Sequence, residues 1–140
     1  MKSTSAYKAA LLDALMADTD VAAIVGKRVF DVPPRDNRGL PSDIANGAPY
    51  IYLGPVGMQR DAACEPLWRS TTRLYAVSFA PHREEAWALA GAIAAALDGA
   101  ELDMAQGGHT PALWVQQGGD VVDPVMPVLV FVDVTTDLHD

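Results

Sequence analysis

Few residues in this 140-residue chain have the type and spacing that chemistry requires. The three histidines are His82, His109 and His139. Only Glu85, three residues after His82, stands at a metal-ligand spacing from any of them, and a lone His–Glu pair at a helix start reads as solvated surface rather than as a metal site. Cys64, the one cysteine, lies between Ala63 and Glu65 with no basic neighbour in sequence to lower its pKa, which argues against a nucleophile. Glu84 and Glu85 are adjacent, so on a helix they point about 100° apart and do not converge as an acid–base pair. Asp120 and Asp123 border a glycine-rich turn with too few oxygen ligands for calcium, and "GGD" reads as hairpin chemistry. "GGHTP" leads into a proline-headed strand rather than a helix, so it is no phosphate loop. No G-x-S-x-G elbow occurs. No catalytic residue, cofactor or metal is assigned, and the chain reads as a non-enzyme. Trp68, Trp87 and Trp114 read as core or edge packing, with an interface anchor as the functional alternative.

Composition sets the frame around that negative result. The length suits one domain spanning 1–140, with a core that buries roughly two thirds of the unfolded surface. Half the residues are hydrophobic, which excludes global disorder. A single cysteine allows no intrachain disulfide and fits a reducing compartment. No apolar run reaches the roughly 18 residues that span a bilayer. The acid-interrupted N-terminus is unlike a signal peptide, so assembly in the cytoplasm is expected. The net charge of −8 argues against a nucleic-acid binder. All ten Lys and Arg lie in residues 1–83 with eight acids, net +2, whereas residues 84–140 hold ten acids and no Lys or Arg, net −10. Two explanations stand: the halves interleave in space, or the subunit has opposite faces that meet head to tail, as in a ring.

The elements that must carry these residues follow from periodicity. Ser3 or Ser5 is placed to cap a first helix to about Ala17, with Tyr7, Leu11, Ala14 and Leu15 recurring at helical spacing. Asp18 or Thr19 is placed to cap a short second helix that Gly26 ends. "KRVFDV" is a short strand. Residues 49–56 form a second strand, "LWRSTTRLYAVSFA" a third, and "GMQRDAACEP" is the polar connection between them. In the third strand Tyr75, Val77 and Phe79 share one face, and Leu74 and Ala76 the other. Pro81 opens the strongest helix, "HREEAWALAGAIAAALDG", with Glu84 and Glu85 in its first turn, an apolar face of Leu89, Ile93, Ala96 and Leu97, and Gly99 as its stop. "PALWVQQ" is a strand, "GGDVVDP" turns it round, and "VMPVLVFVDVTTDL" is the longest strand, apolar on both faces and therefore central in the sheet or at a subunit contact. The predicted class is α+β: a mostly antiparallel, curved sheet of about five strands with two to three helices packed on one face.

One stretch fits no element. Residues 31–48, "DVPPRDNRGLPSDIANGA", precede the strand "PYIYLG" without helix or strand pattern. Loops of this length are uncommon in compact domains unless they carry function.

In order along the chain, these features resemble the tail-completion proteins, the tail terminators of long-tailed bacteriophages and of gene transfer agents. The stretches that carry the resemblance are "AYKAALLDALMADTDVAAIVGKRVFDVPP", "APYIYLG", "LYAVSFAPHREEAWALAGAIAAALDG" and "PVLVFVDVTT", together spanning roughly residues 6–136. The resemblance implies a structural subunit of a virion or phage-like particle, located at the head–tail junction and assembled in the bacterial cytoplasm. It implies a homo-oligomeric, hexameric ring that is monomeric when free. The ring sits on the head-proximal end of the tube, stops polymerisation of the major tail-tube protein and joins the neck or head-completion protein. DNA passes through it without sequence-specific binding, and no membrane is involved. In that setting the 31–48 loop is an arm to a neighbour that orders on assembly, and the interface candidates are Arg35, Asp36, Arg38, Asp43, Arg60 and Trp68. The acidic charge suits a pore through which DNA slides. The alternatives are a neck or head-completion protein that closes the portal, and an interaction module unrelated to phage.

Overall fold

The computed structural model describes residues 3–35, 47–60, 67–105, 108–121 and 127–139. Eight elements follow in order: α1 (Thr4–Ala17), α2 (Thr19–Val25), β1 (Val29–Phe30), β2 (Tyr50–Arg60), β3 (Leu67–Ser78), α3 (Glu84–Leu97), β4 (Trp114–Val121) and β5 (Val128–His139). The strands form one open sheet in the order β1-β2-β3-β5-β4. Every pairing is antiparallel except β1 with β2, which is parallel. The three helices pack on one face, so the architecture is the expected α+β.

Helix formation follows the apolar spacing. Tyr7, Ala10, Leu11 and Leu15 of α1 are buried, a stripe at intervals of three and four residues. Ser3 occupies the N-cap position but makes no side-chain capping bond, and Ser5 lies inside the helix, so neither serine caps α1. Asp18 does more than expected. Its extended backbone ends α1, and its Oδ1 accepts from the backbone N–H groups of Asp20 and Val21, both at 3.0 Å, to start α2. Gly26 and Gly99 take positive φ, which ends α2 and the segment after α3 at little steric cost. On α3 the buried stripe is Ala86, Leu89, Ala90, Ile93 and Leu97. Ala96, placed on that face by the periodicity, is only half-buried, whereas Ala86 and Ala90 are buried.

In the strands, Leu74 and Ala76 of β3 and Val130, Val132 and Val134 of β5 face the helices and join the core with Ile51, Leu53, Leu89 and Ile93. β3 is the central strand. β5 lies beside it and is interior as expected, but is no longer than β3: both run 12 residues.

Three readings are corrected. β2 does not stop at residue 56: Gly57–Arg60 pair with Thr71–Trp68. Val56 and Met58 alternate towards the core there, a signal masked by Gly57 between them and by Gln59 and Arg60 after them. Gly118, Gly119 and Asp120 are not a turn but lie in β4, opposite Val132, Phe131 and Val130. A Cβ at Gly119 would sit 3.0 Å from the Phe131 ring, so the glycines let β4 lie against a large side chain. The strand read in "KRVFDV" contributes only two paired residues. Asp36, Arg38, Asp43, Cys64 and Asp123 lie outside the described residues.

β2 is bent by a bulge. Leu53 pairs with Leu74 and Val56 with Thr72, so Gly54 and Pro55 together oppose Arg73. The bulge tolerates a proline, which has no ladder donor. It requires the glycine: a Cβ at position 54 would lie 2.5 Å from Tyr75 Cε2 and 3.0 Å from the Arg73 carbonyl oxygen. Gly54→Ala is therefore expected to destabilise the protein by about 1–3 kcal/mol through overpacking, read as a lower urea midpoint at unchanged m-value.

Candidate assembly surface

Packing all helices on one side leaves the opposite sheet face uncovered by them, and its side chains come from the alternate strand positions. Arg73 of β3 is at its centre. Its Nε and Nη2 donate to Asp133 Oδ1 and Oδ2 on β5 at 2.7 and 2.8 Å. Gln117 of β4 donates to the same Oδ2 at 2.6 Å. The guanidinium lies 3.9 Å from the centroid of the Phe131 ring, a cation–π placement. Asp133 is 4% exposed. The Arg73 guanidinium holds its carboxyl below the usual carboxylate range against the opposing effect of burial, and Gln117 adds to the lowering. Arg73 is correspondingly raised, chiefly by its hydrogen bonds to Asp133.

On one side of Arg73 stands an aromatic group. Tyr52 and Tyr75 stack at 4.8 Å between centroids, and Tyr50 touches Phe30, Tyr52 and Phe79. Tyr50 is fully buried and its hydroxyl has no hydrogen-bond partner among the described residues. Burial, and then the neighbouring Tyr52, push its pKa up to about 12. On the other side the face is polar. Arg69 binds Asp137 through two bonds of 2.9 and 3.3 Å, beside a cleft of about 360 Å³ lined by Gln59, Thr71, Trp114 and Thr135.

The interface candidates scatter over this framework. Arg60 ends β2, exposed, directly opposite Trp68 in register, so the sheet does bring these two together. Trp68 is half-buried. Arg35 is exposed beyond β1, close enough to Tyr52 to act on its hydroxyl electrostatically. Of the other tryptophans, Trp87 and Trp114 are 44% and 63% exposed, so they are not core residues. The segregation of charge along the chain is partly cancelled in space. Arg69, Arg73 and Arg83, from the first part, bind Asp137, Asp133 and Asp120 from the second. The interleaved explanation holds for these residues.

Arg73, Asp133 and Gln117 were missed by reading the sequence for catalytic patterns. The signal was present but partial: Asp133 interrupts the apolar run from Val128 to Val134, and Arg73 borders the apolar run from Leu74 to Val77. Such charges are placed in sheets only when paired. Among the described residues no group of three or more His, Cys, Asp or Glu converges as a metal site. His82 and His109 each pair with one nearby carboxylate, Glu84 and Asp103. No described helix is long and apolar enough to cross a membrane.

The chain matches the family described as Tail completion protein gp17 over residues 9–136. Its fold is similar to a chain solved in the virion of a native gene transfer agent particle, with a TM-score of 0.78 and 26% identity over 98% of this chain and 97% of that one. No curated protein matches.

Asp133→Asn should cost about 2 kcal/mol, because Arg73 then lacks its charged partner in a part-buried setting. A depressed folded pKa gives stability that is present above the ordinary Asp value of 3.8 and lost as pH falls towards the folded value. The difference between wild type and Asp133→Asn should therefore be full at neutral pH and shrink below pH 3.8 in denaturant titrations. A difference that stayed constant there would exclude the ion pair as its source.

Proposed function

The chain belongs to the tail completion protein gp17 family, and on that premise we propose that it is a structural part of a phage-type tail, found in the tail of a virion or phage-like particle. Residues 1–140 act as one tail-terminator unit. Copies form a hexameric ring on the head-proximal end of the tube, stop the addition of the major tail-tube protein, and join the tail to the neck or head-completion protein. DNA passes through the ring. The role is one of shape and contact, not of catalysis.

The observation that carries this reading is the family match over residues 9–136, together with the likeness, along nearly the whole of both chains, to a component of a gene transfer agent virion. The fold is compatible with it: one face of the sheet is left open by the helices, and two unlike sheet edges suit contacts that repeat around a ring. Arg35, Asp36, Arg38 and Asp43 in the 31–48 loop, with Arg60 and Trp68 at the end of the β2–β3 pair, contact neighbouring subunits or the tube. Deleting residues 35–44 should spare folding and abolish capping; truncated protein that still capped tails would remove the loop from the contact.

The primary test is electron microscopy of particles made without this gene. Tails of abnormal, variable length, unattached to filled heads, are expected. Normal tails with leaking or empty heads would instead assign the protein to neck closure, and intact particles would rule out both roles.

A further inference from the structure

The four large apolar side chains that stand exposed among the described residues all lie along the two edges of the sheet. Val32, 65% exposed, follows β1. Trp114 and Val121 begin and end β4, and Trp87 lies beside β4 on α3. Natural sheets normally blunt their edges with charges, prolines or covering chain. Among the described residues, β4 is covered only at its start. There Leu113 exchanges backbone bonds with Gly99 and Ala100, and Val115 N–H donates to Asp98 Oδ1 at 3.0 Å. From Gln117 to Val121, among the described residues, β4 has β5 on one side and no strand on the other. Alongside runs a groove of about 170 Å³ between α3 and β4. Trp87, Gly91 and Ala94 form its helix wall, and Val115, Gly118 and Phe131 its floor.

The opposite edge carries a segment of matching shape and charge. Val32 and Pro33 each precede a proline, which disfavours helical backbone at both. Extended proline segments lack N–H donors and pack into aromatic-lined grooves. A cavity of about 150 Å³ holds a molecule of benzene size, so this groove has room for a valine or proline side chain. Residues 27–35 hold Lys27, Arg28 and Arg35 against Asp31, net +2, whereas residues 83–121, on the groove side, hold six acids against Arg83, which is paired with Asp120.

We propose that Val32-Pro33-Pro34 of a second copy of this chain seats in the groove beside Trp87 and the free part of β4, with the basic flank of that segment towards the acidic α3–β4 side. The contact joins two different surfaces, so it repeats head to tail, as a ring where its rotation closes, and does not form a twofold dimer. It rests on the ring reading and names the surfaces that would make the ring.

Three measurements on the full chain test it. First, hydrogen exchange of wild type, free and in purified particles, should show the amides of 117–121 gaining protection together with those near Val32 on assembly. Second, Gly91→Leu fills the groove: a Cβ at position 91 meets nothing within 4 Å. The variant should fold with wild-type circular dichroism, yet its incorporation into tails should fall on the order of tenfold or more, the loss of about one contact's worth of affinity. Third, in a Cys64→Ser background, Val32→Cys with Gly91→Cys should give a ladder of covalently linked subunits from assembled particles, and neither single variant should. Tails that are capped by wild-type protein while 117–121 exchange as in the free chain, Gly91→Leu incorporates normally and no ladder forms would overturn the groove contact and leave the ring standing. A protein absent from the tail end would overturn both.

Discussion

Three strand seams of the sheet meet at Arg73. Its backbone is the single residue facing the two-residue bulge of β2, where its carbonyl and the adjacent Tyr75 ring leave room for nothing larger than Gly54. Its side chain crosses to Asp133 on β5, and Asp133 in turn takes the hydrogen bond of Gln117 from β4. β3, β5 and β4 are thus tied together on the open face by one guanidinium and one carboxylate, and β2 meets the backbone of the same arginine. A sheet whose two faces were both apolar would be free to slip or to collect partners without selection. A charge pair at the centre, reached by hydrogen bonds from a third strand, removes that freedom, since a slip by one residue would place Asp133 among the core valines.

The same pair explains why the open face is not simply a sticky surface. Phe131, Tyr52 and Tyr75 are large, but Phe131 lies under Arg73 and the two tyrosines stack on each other. The exposed apolar residues are displaced to the edges instead. Polar register at the centre and apolar material at the rim is the distribution expected of a subunit whose contacts run edge to edge. Within it the charge segregation of the sequence is partly cancelled by cross-strand pairs. What is left of it is local, an acidic α3–β4 side and a basic β1 side, and complementarity of that kind acts on orientation and association rate more than on affinity.

Much of the fold was legible in the sequence, and the exceptions have physical causes. α1, α3, β3 and β5 declare themselves because each buries one regular stripe. Asp18 and Gly26 mark α2 because capping needs a short polar side chain at one end and a positive φ at the other. The misread segments are those where packing overrides local chemistry. Gly118 and Gly119 look like a turn, yet serve as the clearance for Phe131 from the neighbouring strand, and that neighbour is distant in sequence. Met58 and Val56 support a strand through residues that polar neighbours disguise. Ser3 stands where a cap belongs without capping. The site was less legible: Arg73 and Asp133 are 60 residues apart, and only the pairing of β3 with β5 makes them one object.

The two edges of the sheet show why a contact surface resists a motif-based reading. Catalysis needs particular groups at particular distances, so its residues leave a pattern of types. Assembly needs complementary shape on two separate parts of one chain, and here those parts are an ordinary Val-Pro-Pro and an alanine-rich helix with one exposed tryptophan. Neither is informative alone. β1 contributes two residues and then releases the chain, so it cannot extend the sheet by itself. β4 is covered to Val115 and open from Gln117, so it cannot be closed by its own chain among the described residues. Each edge is incomplete in the way that the other could complete, and the two cannot meet within one subunit because three strands separate them.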